Sequence, residues 1–476
     1  MNPRNKVVMK VAGVRWTYDD LCRHVLLSGD TGIGKTLALN ECLHSLLHRD
    51  PQVGGLIIDE KGLYFRVVRE MLMKHGRLED GIFVRVGNPG DHAFEPAHRL
   101  NLVSSLSFSK VARMVVDAGL AAAGGKEHAF FTVQATTAIA MGLELLYESN
   151  QVPVTLSGVY DHLMNPDLLK ETVTRLRGMY GTARRMELVR YFENTFLSSQ
   201  APEQREGVQG SVANLLGYYV NSPALREVFS STRPNSFQIA DVSRGKLICL
   251  SIPQAYAAER KAILNLFKIL FFQHALSRFD HYDAKTIWNR NNLLILVADE
   301  YQSFITASAG MSDYNVVDRL REAKCALLAT THSCPVSLIP PHHGRKDMAE
   351  ALLANIRNRI IFRCPDASSA QEAAQWVGTR MRKRANRTGP APNQSATLQS
   401  FEEYRFTPER LRRLPKHVAV ICHCRKRSRK RRIRGRTGDG KRIRVRNPLT
   451  FVADTWRNVA DRGRFTAGKR CEFGTK

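Results

Sequence analysis

The stretch that most constrains this chain is HVLLSGDTGIGKTLALNECL, residues 24–43. Val25, Leu26 and Leu27 predict a short buried strand, and Leu37, Leu39, Cys42 and Leu43 recur at helical spacing. Between them runs Gly29-Asp30-Thr31-Gly32-Ile33-Gly34-Lys35-Thr36. Strand, glycine loop and helix in that order are the setting of a phosphate-binding loop. Gly29, Gly32 and Gly34 allow backbone conformations closed to other residues, so successive N–H groups can turn inward on an anion. The helix beginning near Lys35 adds the positive end of its dipole. Lys35 is expected to reach the β- and γ-phosphates of ATP, and the Thr36 hydroxyl to take one place on Mg²⁺.

A site that hydrolyses a triphosphate also needs a metal ligand and a group that activates water. Asp299-Glu300 supplies both, after the apolar run Leu293-Leu294-Ile295-Leu296-Val297-Ala298. Asp299 is expected to hold Mg²⁺ and Glu300 to polarise the attacking water. Asp59-Glu60 is a competitor, also at the end of an apolar strand, Leu56-Ile57-Ile58. The run before Asp299 is longer and more apolar, and the strand after it ends in the polar tip Thr330-Thr331-His332-Ser333. Asp299-Glu300 is therefore preferred.

The rest of the chain gives these residues a frame. Strand–helix alternation from residue 25 to 87, and again from 246 to 377, implies a mostly parallel sheet with helices on both faces. Between roughly 103 and 235 the apolar residues recur at three and four spacing and strand signals nearly vanish, which reads as an all-helical insertion. The expected organisation is an α/β nucleotide-binding domain in two parts, 1–102 and 236–380, an all-α insertion at 103–235, and a linker with a strongly basic region at 381–476. The segment 385–400, with Gly389, Pro390 and Pro392, reads as linker. The run RKRSRKRRIRGRTGDGKRIRVR, residues 425–446, reads as too charged to pack.

Composition narrows the functional class. The chain has a net charge of +27, most of it within residues 380–476, where 29 Lys and Arg face 7 Asp and Glu. Lys and Arg in such density displace counterions from phosphates, so DNA or RNA is the expected partner of this region; a lipid surface or an inert tail are the alternatives. No apolar run is expected to reach the roughly 20 residues of a membrane span, and the first residues lack the apolar core of a signal peptide. The nine cysteines therefore read as reduced thiols of a cytoplasmic chain. Cys422-His423-Cys424 with Cys471 matches no trusted zinc spacing.

Taken in order, the phosphate loop, Asp59-Glu60-Lys61-Gly62 after the next strand, a helical insertion and a late apolar strand ending in Asp299-Glu300 resemble the VirD4/TraD/TraG coupling proteins of conjugation and type IV secretion. Further points of resemblance are SIPQAYAAERKAILNLFKILFFQHAL, REAKCALLATTHS and RNRIIFRCPDASSAQEAAQWVG, and the likeness runs from about residue 20 to 420. It implies a RecA-like P-loop NTPase fold, similar in turn to the FtsK and HerA translocases. It also implies a homo-hexameric ATPase that moves DNA, with a relaxase and a secretion channel as further partners. An arginine finger is implied in the helix before the sensor strand, Arg321 being the best match and Arg319 the alternative. The family's sensor strand ends in Gln where this chain has His332. A neutral imidazole still donates to a phosphate oxygen, but its protonation depends on pH near neutrality. Family members usually begin with a membrane-spanning segment and none is read before this loop, so the expectation is a cytoplasmic chain that either reaches the inner membrane through a partner or works away from it. The competing expectation is an ATP-gated DNA-binding switch without motor activity; a small-molecule kinase fits less well.

Overall fold

The computed structural model describes residues 3–441 apart from residues 92, 104–106, 125–128, 152, 180, 199–201, 308–310, 335, 343, 389–394 and 434. The tail from residue 442, with Cys471, lies outside the described residues. A small hairpin of β1 (Val7–Val11) and β2 (Val14–Thr17) comes first, as the apolar Val11, Val14 and Trp16 suggest. The strands of the main sheet that follow are β3 (Val25–Ser28), β4 (Gly54–Asp59), β5 (Gly81–Arg85), β6 (Leu247–Ser251), β7 (Leu294–Asp299), β8 (Cys325–Thr331) and β9 (Asn358–Ile361). After them come the paired strands β10 (Thr379–Thr388) and β11 (Ser395–Tyr404), then β12 (Val418–His423) and β13 (Lys426–Arg432).

The sheet order is β13-β12-β9-β3-β8-β7-β4-β6-β5. From β9 to β5 all pairings are parallel, and β12 alone is reversed, pairing antiparallel with both β9 and β13. Every residue of β3, β4, β7 and β8 is buried, as expected of parallel strands covered on both faces. One face carries the apolar core that includes Leu26, Leu56, Leu296 and Leu327, and the other the core that includes Val25, Ile57, Val297 and Leu328. The alternation along each strand assigns its residues to these two layers in turn.

Between β5 and β6 the described residues hold seven helices in succession, from Phe108–Ala123 to Pro223–Phe229. They share the first core with the helix Ala257–Leu276, which is buried without a break from Ala262 to Phe272. One of the seven, over Phe130–Glu148, is long and apolar enough to cross a membrane, which the sequence reading did not expect. It packs into the helical layer through Ala135, Ala138, Ile139, Leu143 and Leu146. Small and branched apolar side chains facing several neighbouring helices give such a helix apolar content all round.

Two expectations for the C-terminal region are corrected. The supposed linker at 385–400 is largely hairpin: β10 and β11 pair antiparallel from Thr379↔Tyr404 to Thr388↔Ser395, and only residues 389–394 lie outside the described set. The arginine-rich run also packs in part, for Lys426–Arg432 is the edge strand of the main sheet, paired with β12 from Val418↔Arg432 to His423↔Lys426. An edge strand needs one backbone edge and no apolar face, and its exposed Lys426, Arg429, Lys430 and Arg431 suit that position.

One polar cluster in the core joins the elements behind the site. Lys268 and Asp313 are fully buried and 2.5 Å apart. Asp313 also accepts from the Tyr301 hydroxyl at 2.5 Å and from the Thr306 N–H at 2.8 Å, while Lys268 donates to the Phe304 carbonyl. Removing one member leaves the other charge buried and unpaired. Asp313→Ala is therefore expected to cost about 3–5 kcal/mol in urea unfolding, and Lys268→Met with Asp313→Leu together to cost less than that single change.

Candidate nucleotide site

Register places the site. Ser28 at the end of β3 lies opposite Thr331 of β8 and Ile361 of β9, so all three strands release their chains at one level. The Gly29 N–H donates to the His332 carbonyl at 3.1 Å, and the Asp30 N–H to the Arg363 carbonyl at 2.8 Å. Gly29 and Gly34 have φ of +146° and +109°, a region where other residues are strained. Space matters as well: a Cβ on Gly29 would lie 2.7 Å from Phe362 Cβ, and one on Gly34 2.5 Å from His417 Nδ1. The helix Lys35–Arg49 starts at Gly34, so its first N–H groups face the loop.

Lys35 Nζ donates to the Gly29 carbonyl at 2.9 Å and the Asp30 carbonyl at 3.1 Å. Burial lowers its pKa, while the carboxylates of Glu300, Asp299 and Asp30 oppose that shift. The Thr36 hydroxyl donates to Asp299 Oδ2 at 3.1 Å, and the Thr330 hydroxyl to Asp299 Oδ1 at 2.5 Å. Hydroxyl and carboxylate together are the hard oxygen donors that Mg²⁺ takes, so this pair fits the metal. Burial lifts the Asp299 pKa to about 6, against the Thr330 hydrogen bond and helped by the charges of Asp59 and Glu300.

Glu300 sits at φ +60°, a turn that takes its side chain out of the strand line. Its N–H donates to the Thr330 hydroxyl at 2.9 Å, and Oε2 accepts from Gln302 Nε2 at 2.9 Å. His332 Nε2 lies 2.9 Å from the same oxygen, and His332 Nδ1 lies 3.2 Å from Lys35 Nζ and 3.4 Å from Thr31 Oγ1. An ammonium only donates and a carboxylate only accepts, so both contacts are satisfied when Nδ1 accepts and Nε2 donates. The imidazole thus bridges the loop lysine and Glu300.

The competing pair is engaged otherwise. Asp59 accepts the N–H groups of Lys61, Leu63 and Tyr64 at 2.9–3.1 Å and starts the helix Tyr64–Lys74, while Glu60 accepts from the Ser303 hydroxyl at 2.9 Å. It is Asp299 that reaches Thr36. Arg321 is not brought to the loop: it pairs with Asp19 at 3.0 Å, and Asp19 also meets Arg23 and Arg425. Arg319 is exposed and donates to the Asn315 carbonyl at 3.1 Å.

Three contributors were missed in the sequence. Arg363 Nη2 bonds Asp30 Oδ2 at 2.8 Å. The His417 N–H donates to the Ile33 carbonyl at 3.2 Å. Residues after β13 lie along the loop helix, where Asn40 donates to the Arg436 carbonyl, Arg436 pairs with Glu41, and His44 meets the Thr437 carbonyl. Arg363 lies in the stretch read as strand–helix alternation, but His417 and the residues after β13 carried no such signal, because strand order decides what stands beside the loop. Near β12, Asp20, His423 and Cys424 have donor atoms within 4.8 Å of one another, but Arg425 Nε lies 3.1 Å from Asp20. Such a cation disfavours a metal there.

No protein-family model matches this sequence, and no curated protein matches it in sequence. Solved structures do match in fold. The trigonal form of the bacterial conjugative coupling protein TrwBdeltaN70 with sulphate superposes at a TM-score of 0.62 and 16% identity, over 92% of this chain and 91% of that one. The plasmid coupling protein TrwB in complex with ADP and Mg²⁺ gives 0.56 at 16% identity, again over 92% and 91%. VirB4 of Thermoanaerobacter pseudethanolicus gives 0.50 at 12% identity, over 90% of this chain and 96% of that one. The α/β P-loop architecture read from the sequence is the fold that these structures share.

A carboxyl whose pKa is raised by folding makes the native state bind an extra proton between its unfolded and folded values, so it costs stability once pH rises through them. Moving from 3.8 to about 6 corresponds to roughly 3 kcal/mol when Asp299 is fully ionised. Asp299→Asn is therefore expected to raise the melting temperature at pH 8, with the gain shrinking as pH falls towards 4.

Proposed function

We propose that this chain is an ATP-hydrolysing motor of the coupling-protein kind, which binds DNA and drives its transfer in conjugation or type IV secretion. The observation that carries this reading is the convergence of Lys35, Thr36, Asp299, Glu300 and His332 at one end of β3, β7 and β8. It is supported by the fold shared with coupling-protein structures. In this reading residues 29–36 wrap the phosphates, and Lys35 leaves its loop carbonyls for the β- and γ-oxygens. Thr36 and Asp299 hold Mg²⁺, which when bound supplies positive charge against the phosphate oxygens. Glu300 takes the proton of the attacking water. His332 stands between Glu300 and Lys35, so it reports whether Lys35 is on the phosphate or on the ring.

The assembly is proposed to be a homo-hexamer. An arginine of the segment after Ser312 then acts on the neighbouring subunit's nucleotide. For Arg321 this requires leaving Asp19, whereas Arg319 is already exposed. The helices of 103–235 form an inserted domain facing the cargo, a relaxase–DNA complex, and a partner brings the ring to the secretion channel at the inner membrane. The basic C-terminal region holds nucleic acid through its phosphates. One contact favours a gated form of the same enzyme: Glu300 and Lys35 are both occupied by His332, a state in which neither is free to act.

ATP turnover by the purified chain is expected to rise when DNA is added and to fall by about 10²-fold or more in Lys35→Ala and Glu300→Gln. Binding without turnover, whatever DNA is present, would replace the motor with an ATP-gated DNA-binding switch.

A further inference from the structure

The phosphate loop of this chain carries an acid where an anion is to bind. Asp30 is its second residue, and both carboxylate oxygens are engaged. Oδ1 accepts the Thr31 N–H at 2.7 Å, so it already holds one of the loop's own donors. Oδ2 accepts from Arg363 Nη2 at 2.8 Å. A charge of this sign beside a triphosphate repels it, unless a cation stands close enough to cancel it.

Arg363 is held there by the backbone. It follows β9, the parallel neighbour of β3. The Phe362 N–H donates to the Ser28 carbonyl at 2.8 Å, and the Arg363 carbonyl accepts the Asp30 N–H at 2.8 Å. Phe362 lies so close to Gly29 that the loop has no room for a side chain there. The Arg363 backbone is therefore in register with the start of the loop, and its side chain, about two-fifths exposed, reaches Asp30 from there. Burial opposes ionisation of Asp30, yet the hydrogen bond from Arg363 leaves its carboxyl below the usual range. The same aspartate holds Lys35 through its carbonyl at 3.1 Å, so what happens at Asp30 is felt by the lysine. Lys416 is close enough to Arg363 for the two charges to repel.

We propose that Arg363 is a positioning residue of the nucleotide site: as the counter-ion of Asp30 it cancels the loop's negative charge and thereby sets the affinity for the triphosphate. It works through Asp30 and not by touching the nucleotide. The inference rests on the ATP reading above.

The test is equilibrium binding of a fluorescent ATP analogue with Mg²⁺ to the full chain and to Arg363→Ala, Arg363→Lys, Asp30→Asn, Asp30→Asn with Arg363→Ala, and Lys35→Ala, alongside steady-state hydrolysis of ATP. Arg363→Ala is expected to weaken binding by about tenfold and to raise KM with little change in kcat. Arg363→Lys, which keeps the charge, is expected to recover most of that loss, and Asp30→Asn to bind more tightly than the parent. Asp30→Asn combined with Arg363→Ala is expected to return within about twofold of the parent, since removing both charges removes the coupling. Raising the salt concentration is expected to narrow the gap between parent and Arg363→Ala. Binding by Arg363→Ala equal to the parent, while Lys35→Ala still abolishes it, overturns the proposal and leaves the ATP reading standing. A double variant as weak as Arg363→Ala also overturns it, because the arginine then acts on the nucleotide itself. A folded parent chain that binds no nucleotide overturns the ATP reading and this proposal with it.

Discussion

The parallel pairing of β3 with both β8 and β9 is the constraint on which the site depends. Each strand ends at the same level, so Gly29, His332 and Phe362 leave the sheet side by side. Parallel sheets of this kind open a crevice at the carboxyl ends of their strands, where the strand order reverses. The start of the loop is closed by backbone bonds: two of its first N–H groups bond the chains that leave β8 and β9. Its shape is a property of three strands, not of eight residues.

Each carboxylate inside that crevice has a polar partner of its own. Asp299 lies between two hydroxyls, Asp30 beneath a guanidinium, and Glu300 against an imidazole that also meets Lys35. Each of these groups thus has a partner which a nucleotide or metal can replace, and exchanging partners costs far less than leaving a buried charge unpaired. The buried Lys268–Asp313 cluster extends this order behind the site, tying the segment after Glu300 to the helix Asp313–Leu320 that leads to Arg321. The turn at His417 and the residues after β13 close the other side, touching the loop at Ile33 and its helix at Asn40, Glu41 and His44.

Much of this was legible in the sequence where a short stretch determines its own structure. The loop Gly29–Thr36, the helix Tyr64–Lys74 and the apolar strands before Asp59 and Asp299 stand where their residues predict, because local propensity and burial agree there. The hairpin over β10 and β11 and the strand Lys426–Arg432 were misread. In both cases backbone pairing with a distant or opposed strand supplies the stability, and their side chains carry little of the apolar alternation that marks a strand. The helix over Phe130–Glu148 was misjudged in the other sense: its apolar content is spread around a helix among helices.

By itself the sequence determined that a glycine loop opens a helix after a buried strand, that a late strand ends in two acids, and that positive charge gathers near the C-terminus. Each follows from residues within a few positions of one another. Only the tertiary structure decided that Asp299 reaches Thr36 while Asp59 caps a helix, and that His332 joins Lys35 to Glu300. It also decided that Arg363 stands against Asp30, and that Arg321 turns to Asp19 instead of the loop. Most of these partners, Thr36 and Asp299, Lys35 and His332, Asp30 and Arg363, Asp19 and Arg321, are hundreds of residues apart in the chain, and strand order and register bring them together. Neither is written in the spacing of any single motif, because backbone hydrogen bonds between strands carry no residue identity.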